Sequence, residues 1–184
     1  MRFARRMDKL GVVASFEVLQ KAKQMEAEGR DIIHLEIGEP DFKTADHIKE
    51  AGIQAIRDNY THYSAASGFW DLREAIAEYE SQFKGFEVSP EEVVVTSGGK
   101  PIMYYAITLF SQRGDEILTP NPGYPVYESI IRFCGGKPIP FPFLGINAFN
   151  FDPGLFKSLV TPRTKMIILN TPSNPTGTIF TQKD

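Results

Sequence analysis

The sequence predicts an α/β fold with parallel strands, on three observations. First, segments with helical periodicity alternate with short apolar runs, a pattern typical of strand–helix–strand units. Second, several apolar runs end in loops rich in glycine, proline and asparagine, as strands do at a ligand-binding sheet edge. Third, contents of 42% hydrophobic and 23% charged residues are typical of globular proteins, and 184 residues are enough for one domain with a sizeable core or for one and a half smaller domains.

The first helix is predicted from Ser15, and Gly29 is placed to end it. Its apolar face carries Phe16, Leu19, Ala22 and Met25. Apolar and polar residues alternate only partly over residues 31–37, a pattern that predicts a short buried strand. Gly38 and Pro40 then prevent a helix or strand from continuing.

Two further helices follow. Thr44 is a candidate cap for a helix that ends near Asn59, and residues 60–68 are predicted as a loop. The next helix is closed by Gly85, and its apolar positions are Phe69, Leu72, Ile76, Tyr79 and Phe83. We interpret this aromatic stripe as core packing.

The turn Thr96–Pro101 joins an apolar run, Val93–Val95, to an amphipathic segment beginning at Ile102. Its two glycines allow a ligand close to the backbone, and the following helix points its first N–H groups and positive dipole end there. Lys100 adds a full positive charge. A phosphate is the favoured ligand, although turns of this kind in other proteins only reverse the direction of the chain.

The second half of the chain repeats the pattern. A strand–helix–strand crossover predicts that Val93–Val95 and residues 116–119 are parallel. The loops that carry Tyr124 and Asn174 also follow strands, so they are predicted to share one sheet edge with the turn Thr96–Pro101. The remaining predictions are a helix over 126–133, strands over 137–141 and 165–169, loop residues 142–154 with a brief helix over 155–159, and a helix start at 181–184.

Charge and cysteine content exclude several classes of protein. The net charge is −3 and the pI is about 5.7, unlike a nucleic-acid binder. Arg2, Arg5 and Arg6 precede no apolar targeting stretch, so an N-terminal arm is predicted, and no run is long enough to span a membrane. The single cysteine, Cys134, suits a reducing, cytoplasmic compartment and is interpreted as a buried structural thiol.

Five motifs follow one another along the chain: Ile37–Phe42, Tyr63 with Gly68–Ala75, Ser97–Lys100, Asn121–Pro125 and Asn170–Gly177. In this order they resemble the N-terminal portion of a class I (fold type I) pyridoxal-phosphate-dependent aminotransferase of the aspartate aminotransferase-like group. The resemblance is collinear from about Leu10 to Asp184.

The resemblance implies a fold and a domain division. The large domain would be a three-layer helix/sheet/helix structure with a mainly parallel mixed sheet. Residues 1–44 would be an arm and helix of the small domain, and residues 45–184 an incomplete cofactor-binding large domain.

The resemblance also implies residue roles. Ser97, Gly98, Gly99 and Lys100 would hold the phosphate of pyridoxal 5′-phosphate. Tyr124 would stack on the pyridine ring, and Asn174 would donate a hydrogen bond to its phenolic oxygen. No metal site is implied.

Other implied roles concern the substrate and a partner subunit. Gly38 would offer its backbone to the substrate carboxylate beside Tyr124 and Asn174, and Tyr63 would reach the cofactor of the partner in a homodimer. Each residue also has a structural interpretation: Tyr63 and Tyr124 as loop packing, Asn174 as a turn former and Gly38 as a strand end.

The implied activity is transfer of an amino group between an amino acid and a 2-oxo acid. The Schiff-base lysine would lie beyond residue 184, so we expect no catalytic residue here and no turnover by this chain alone. Alternatives are a carbon–sulfur β-lyase, an aminocyclopropane-carboxylate synthase-like enzyme, or a non-catalytic module that binds a cofactor or partner. Lys100 favours an acidic substrate such as aspartate, whereas Val12, Val13 and Ala14 favour a broader range.

Overall fold

The structure, a computed structural model, describes residues 2–11, 14–143 and 151–184. The chain divides into two compact units. One contains Met1–Glu17 and Gly98–Asp184, and the other contains Val18–Ser97.

A parallel sheet of three strands organises the first unit. The strands are β1 (Glu116–Asn121), β2 (Lys137–Pro142) and β3 (Thr164–Ile167), in the order β2-β1-β3. Both pairings of β1 are parallel, which places the carboxyl ends of all three strands at one edge. The predicted parallel arrangement is therefore confirmed for these strands.

Helices cover both faces of this sheet because successive residues of β1 point to opposite sides. Ile117 packs with residues of α4 (Gly99–Phe110) and α5 (Val126–Cys134) on one face. Leu118 lies in a second core with Phe141 of β2 and Phe156 of α6 (Pro153–Leu159). This is the three-layer fold that the resemblance implies.

The N-terminal arm is tied to α5. It forms a short 3-10 helix, Arg5–Lys9, and the Gly11 N–H donates to Ser129 Oγ at 2.9 Å. The Arg6 guanidinium lies 5.7 Å from the centre of the Phe133 ring. The arm thus contacts α5, although each of its described residues is exposed.

The second unit contains α2 (Asp46–Arg57), α3 (Trp70–Lys84) and a 3-10 helix, Pro90–Glu92. Arg73 of α3 donates to the carbonyls of Val93 and Pro90 at 2.9 and 2.7 Å, and its guanidinium lies over the Trp70 ring. The first helix, α1 (Ala14–Ala27), crosses the boundary between the units. The predicted helices and the left-handed cap at Gly85 are confirmed, with φ of 74°.

Two predicted strands do not form. Residues 31–37 have no strand partner among the described residues, and Ile33 and Leu35 are 84% and 89% exposed. Val93–Val95 also lacks strand pairing there, so its predicted crossover to β1 is wrong. An apolar run becomes a strand only when a neighbouring backbone supplies its hydrogen bonds.

Several local predictions also need correction. The aromatic stripe of α3 is not a core here, because Phe83 is 76% exposed and Tyr79 65%. The N-cap of α2 is Ala45 and not Thr44. Cys134 is half-buried, with its Sγ 3.6 Å from Thr108 Oγ1. Residues 181–184, predicted as the start of a helix, form a hydrogen-bonded turn. Of the predicted loop 142–154, residues 144–150 lie outside the described residues.

Candidate cofactor site

Tyr124 and Asn174 lie at the same edge of the sheet. Tyr124 follows β1 and Asn174 follows β3, and these strands are parallel neighbours. The carboxyl edge of parallel strands is where open α/β sheets bind their ligands. The predicted sharing of one edge is therefore observed for these two loops.

We expect the N-terminus of α4 to face the same edge. The far ends of α4 and α5 lie together, because the Gly114 N–H after α4 donates to the Gly135 carbonyl after α5 at 3.4 Å. Thr108 near the end of α4 also meets Cys134 at the end of α5. Helices that end together and pack on one face of the sheet are expected to begin on the same side, and α5 begins directly after Tyr124.

The start of α4 is open to an anion. Gly98 caps it with φ of 81°, a conformation that favours glycine, and no side chain caps the helix within the described part of the chain. A Cβ atom built on Gly98 or Gly99 would meet nothing within 4 Å. The first turn contains no acidic residue, and Lys100 is exposed, with Nζ 5.7 Å from the centre of the Phe16 ring.

A hollow of about 270 Å³ lies beside Tyr124 at the end of β1. Thr119, Tyr127 and Glu128 form part of its wall. The rings of Tyr124 and Tyr127 meet edge to face, with centroids 5.7 Å apart, which holds the half-buried Tyr124 ring in place. Burial, with a smaller effect of Tyr124, raises the pKa of Tyr127 above its usual value of 10.0.

Close approach of the backbone fixes the loop that carries Tyr124. A Cβ atom on Gly123 would lie 2.2 Å from the carbonyl oxygen of Pro120. No side chain fits at that distance, so only glycine permits this path. The turn therefore positions Tyr124 against the end of β1.

Asn174 is exposed in a loop that is closed by its own hydrogen bonds. The Gly177 N–H donates to the Ser173 carbonyl at 2.7 Å, and the Ser173 N–H donates to the Thr178 carbonyl at 2.8 Å. The Asn174 N–H donates to Asn170 Oδ1. These bonds use its backbone and leave the side chain at the surface of the edge.

The predicted site residues are not all brought into one pocket. Lys100 and Asn174 are absent from the described wall of the Tyr124 hollow. Ser97, Tyr63 and Gly38 belong to the second unit, and all three are exposed. The convergence of these residues on one ligand therefore stays a prediction.

Sequence reasoning missed Thr119. This residue is 1% exposed, and its Oγ1 has no hydrogen-bond partner among the described residues. The available signal is a polar residue that directly follows the apolar pair Ile117 and Leu118 and precedes a loop expected to meet a ligand. The sequence pattern by itself assigns that position only to the strand.

Comparison with known proteins decides the family. The aminotransferase class I and II family matches residues 30–184. The chain belongs to the class I and II aminotransferases. Enzymes of this family depend on pyridoxal phosphate.

Individual relatives of this aminotransferase chain agree. The aspartate aminotransferase of Geobacillus stearothermophilus is 36% identical over 184 residues, which cover 100% of this chain and 47% of that protein. An aspartate aminotransferase structure from Thermus thermophilus with maleate gives a TM-score of 0.94 at 35% identity, covering 100% of this chain and 48% of that one. The structure of alanine aminotransferase from Pyrococcus furiosus gives a TM-score of 0.92 at 32% identity, and the match covers 99% of this chain and 47% of that one. This chain thus spans about half the length of the relatives it matches.

The described residues fit the family's cofactor at two points. The glycine-capped start of α4 can accept a phosphate because the space over Gly98 and Gly99 is open and Lys100 is cationic. The hollow beside Tyr124 offers an aromatic wall and an unsatisfied hydroxyl. The described residues contain no cluster of three or more metal-binding side chains, and none of their helices is long and apolar enough to cross a membrane.

Proposed function

We propose that this chain forms the phosphate-binding and ring-binding part of an enzyme that moves an amino group between an amino acid and a 2-oxo acid with pyridoxal phosphate. One observation carries the proposal: a helix start that is open over Gly98 and Gly99 and carries Lys100 belongs to the same compact unit as the hollow beside Tyr124. An anion-binding site together with an aromatic wall suits a phosphorylated heteroaromatic ring.

Gly99 and Lys100 hold the phosphate, with Ser97 and Gly98 beside them. The first N–H groups of α4 and its positive dipole end attract the anion. The Lys100 ammonium adds a charge-assisted hydrogen bond. The bare glycines let the phosphate approach the backbone, which a Cβ at Gly99 would hinder.

Tyr124 and Asn174 hold the ring. Tyr124 lies along one face of the ring and excludes water from it. The Asn174 amide donates to the phenolic oxygen and stabilises its negative charge. When bound, the cofactor supplies an electron-withdrawing ring that stabilises charge developing on the substrate.

The remaining roles concern the substrate, the partner and the organisation of the enzyme. Gly38 offers its backbone to the substrate carboxylate, beside Tyr124 and Asn174. Tyr63 reaches the cofactor of a second subunit, so the enzyme is a homodimer, and its compartment is the cytoplasm. Residues 1–44 belong to a small domain and residues 45–184 to the large one.

The proposed substrates are aspartate or a broader range of amino acids, with their 2-oxo acids. Relatives are named for aspartate, for aspartate and prephenate, and for alanine. The Lys100 ammonium suits a distal carboxylate. Val12 and Val13, whose apolar side chains favour a broader range of amino-acid substrates, lie outside the described residues. The relatives' names favour amino-group transfer over a β-lyase or a synthase.

The test measures binding of pyridoxamine 5′-phosphate by calorimetry, since its amine cannot form an imine with lysine. Lys100→Ala is expected to weaken binding about 10- to 100-fold, the effect of a charge-assisted hydrogen bond of about 1.5–3 kcal/mol. Lys157→Ala, a matched change at an exposed lysine of α6, should leave binding unchanged. Equal affinity of the Lys100→Ala chain and the unaltered chain would contradict the proposal.

A further inference from the structure

Thr119 is a buried polar residue with an unused hydroxyl. It is the fourth residue of β1, is 1% exposed, and its Oγ1 finds no hydrogen-bond partner in the described part of the chain. Alternation along the strand places it on the face of Ile117, which packs against α4 and α5. Packing alone would favour valine here, which has nearly the same shape and no hydroxyl to desolvate.

The same residue lines the hollow beside Tyr124. At about 270 Å³ the hollow is slightly smaller than usual ligand pockets, which begin near about 300 Å³. It therefore suits one compact ring. An unsatisfied hydroxyl and an aromatic wall on a single hollow provide one polar contact and one stacking surface for such a ring.

We propose that Thr119 is a ligand-positioning residue whose hydroxyl hydrogen-bonds to the polar edge of a ring held against Tyr124. This inference rests on the proposed function, because that function supplies the ring. The role differs from that of Lys100, which acts on the phosphate. Thr119 thus controls how the ring is seated, and Lys100 controls how strongly the anion is held.

Two probes separate the two ends of the ligand. Pyridoxamine carries the ring without the phosphate, and inorganic phosphate carries the anion without the ring. Thr119→Val removes the hydroxyl and keeps the shape, and Thr119→Ser keeps the hydroxyl. Thr108→Val is the matched control on α4, because the Thr108 hydroxyl already donates to the Tyr104 carbonyl at 2.6 Å.

Calorimetry of the 184-residue chain should show that Thr119→Val weakens pyridoxamine and pyridoxamine 5′-phosphate about 3- to 10-fold, the effect of one neutral hydrogen bond. Its affinity for inorganic phosphate should not change. Thr119→Ser and Thr108→Val should bind the ring probe as the unaltered chain does. Without ligand, Thr119→Val should melt no lower than the unaltered chain, because no protein partner is lost.

Three outcomes would overturn the inference. If Thr119→Val binds both ring probes normally while Lys100→Ala loses the phosphorylated one, Thr119 has no part in a site that is otherwise correct. If Thr119→Val melts lower without ligand and binds normally, its hydroxyl serves the fold through buried water. If neither probe binds the unaltered chain, the proposed function and this inference fail together.

Discussion

At the residue scale, Gly123 is a position where geometry leaves one choice of amino acid. Its missing Cβ would lie 2.2 Å from the Pro120 carbonyl oxygen and 3.1 Å from the Pro120 carbonyl carbon. These are backbone atoms of the preceding turn, so the clash can be relieved only if the loop that carries Tyr124 moves.

Gly123→Ala should therefore destabilise the chain by about 1–3 kcal/mol, the usual cost of forcing extra atoms into a packed region. Urea unfolding measures the change. Gly52→Ala is the control, because Gly52 lies inside α2 with nothing within 4 Å of its Cβ position and should stabilise by up to about 1 kcal/mol. A Gly123→Ala chain as stable as the unaltered one would show that the turn is not constrained.

Sequence alone identified Tyr124 and Asn174 as edge residues, because strand ends and turn residues have local signatures. Sequence alone could not show that the Thr119 hydroxyl lacks a hydrogen-bond partner among the described residues. Whether a buried hydroxyl finds a partner depends on residues that are distant in sequence, here those of the hollow. Orphaned polar groups are therefore a property of the folded chain.

At the scale of elements, His34 joins the end of α1 to the segment that leads to Gly38. Its Nδ1 lies 2.6 Å from Glu36 and its Nε2 lies 2.8 Å from Glu26. A neutral imidazole has one N–H, so both contacts are hydrogen bonds only when the ring is protonated. The hydrogen bond to Glu26, followed by that to Glu36, raises the pKa of His34 above 6.5.

The sign of the effect follows from the raised pKa. The stabilisation of the folded chain by the two His34 contacts is complete below the ordinary pKa of 6.5, and it is lost as the pH rises through the pKa of His34 in the folded chain. Limited proteolysis of residues 30–40 should therefore accelerate from pH 6 to pH 8. Because the cluster is partly exposed, added salt should weaken the effect.

Titration of His34 by NMR checks this account. Glu26→Gln should move its pKa back toward 6.5, whereas Glu28→Gln, a neighbouring change that does not touch the ring, should not. A His34 pKa at or below 6.5 in the unaltered chain would rule the contacts out in solution.

Glu116 joins the amino ends of the three strands. Its carboxylate is 3% exposed and accepts from Thr161 Oγ1 at 2.6 Å and from Arg163 Nη2 at 2.8 Å, with Lys137 Nζ at 3.5 Å. The hydrogen bond from Thr161, followed by that from Arg163, lowers the pKa of Glu116 below 4.5. Its stabilisation is therefore present above pH 4.5 and is lost as the pH falls through the folded value.

Glu116→Gln should lower the melting temperature at pH 7, because Arg163 loses its charged partner. The difference from the unaltered chain should shrink at pH 3, because the stabilisation by the carboxylate is progressively lost below the ordinary pKa of 4.5. Glu87→Gln, at an exposed glutamate, is the control and should have little effect at either pH. A Glu116→Gln deficit that is the same at both pH values would exclude the charge as its cause.

Helices were predicted better than strands for a physical reason. Helix hydrogen bonds are local, so the spacing of apolar residues in α1 to α5 and the glycines at 29 and 85 were sufficient. A strand depends on a neighbour. Val93–Val95 and residues 31–37 have the composition of strands but no described backbone pairs with them in a sheet.

At the scale of the whole molecule, the family and the parallel sheet could be predicted from five ordered motifs, and both are confirmed. The exposure of the apolar face of α3 could not be predicted in this way. Periodicity shows that a helix has an apolar face but not what covers it. Phe83 at 76% exposure is the clearest example.

The chain alone should not attach its cofactor covalently. Every lysine in the chain is exposed, whereas a lysine that forms a stable, unique imine requires a desolvated or otherwise activated amine. Incubation with pyridoxal phosphate and then borohydride should leave only scattered, substoichiometric labelling by mass spectrometry. A stoichiometric adduct at one lysine would overturn the prediction that this chain does not transaminate by itself.

The most direct measurement is a crystal structure of this chain grown with pyridoxamine 5′-phosphate. Our account predicts the phosphate against the N–H groups of Gly99 and Lys100, the ring along Tyr124 and the Asn174 amide at the phenolic oxygen. A ligand bound elsewhere, or these three groups directed into separate regions with no shared space, would contradict it.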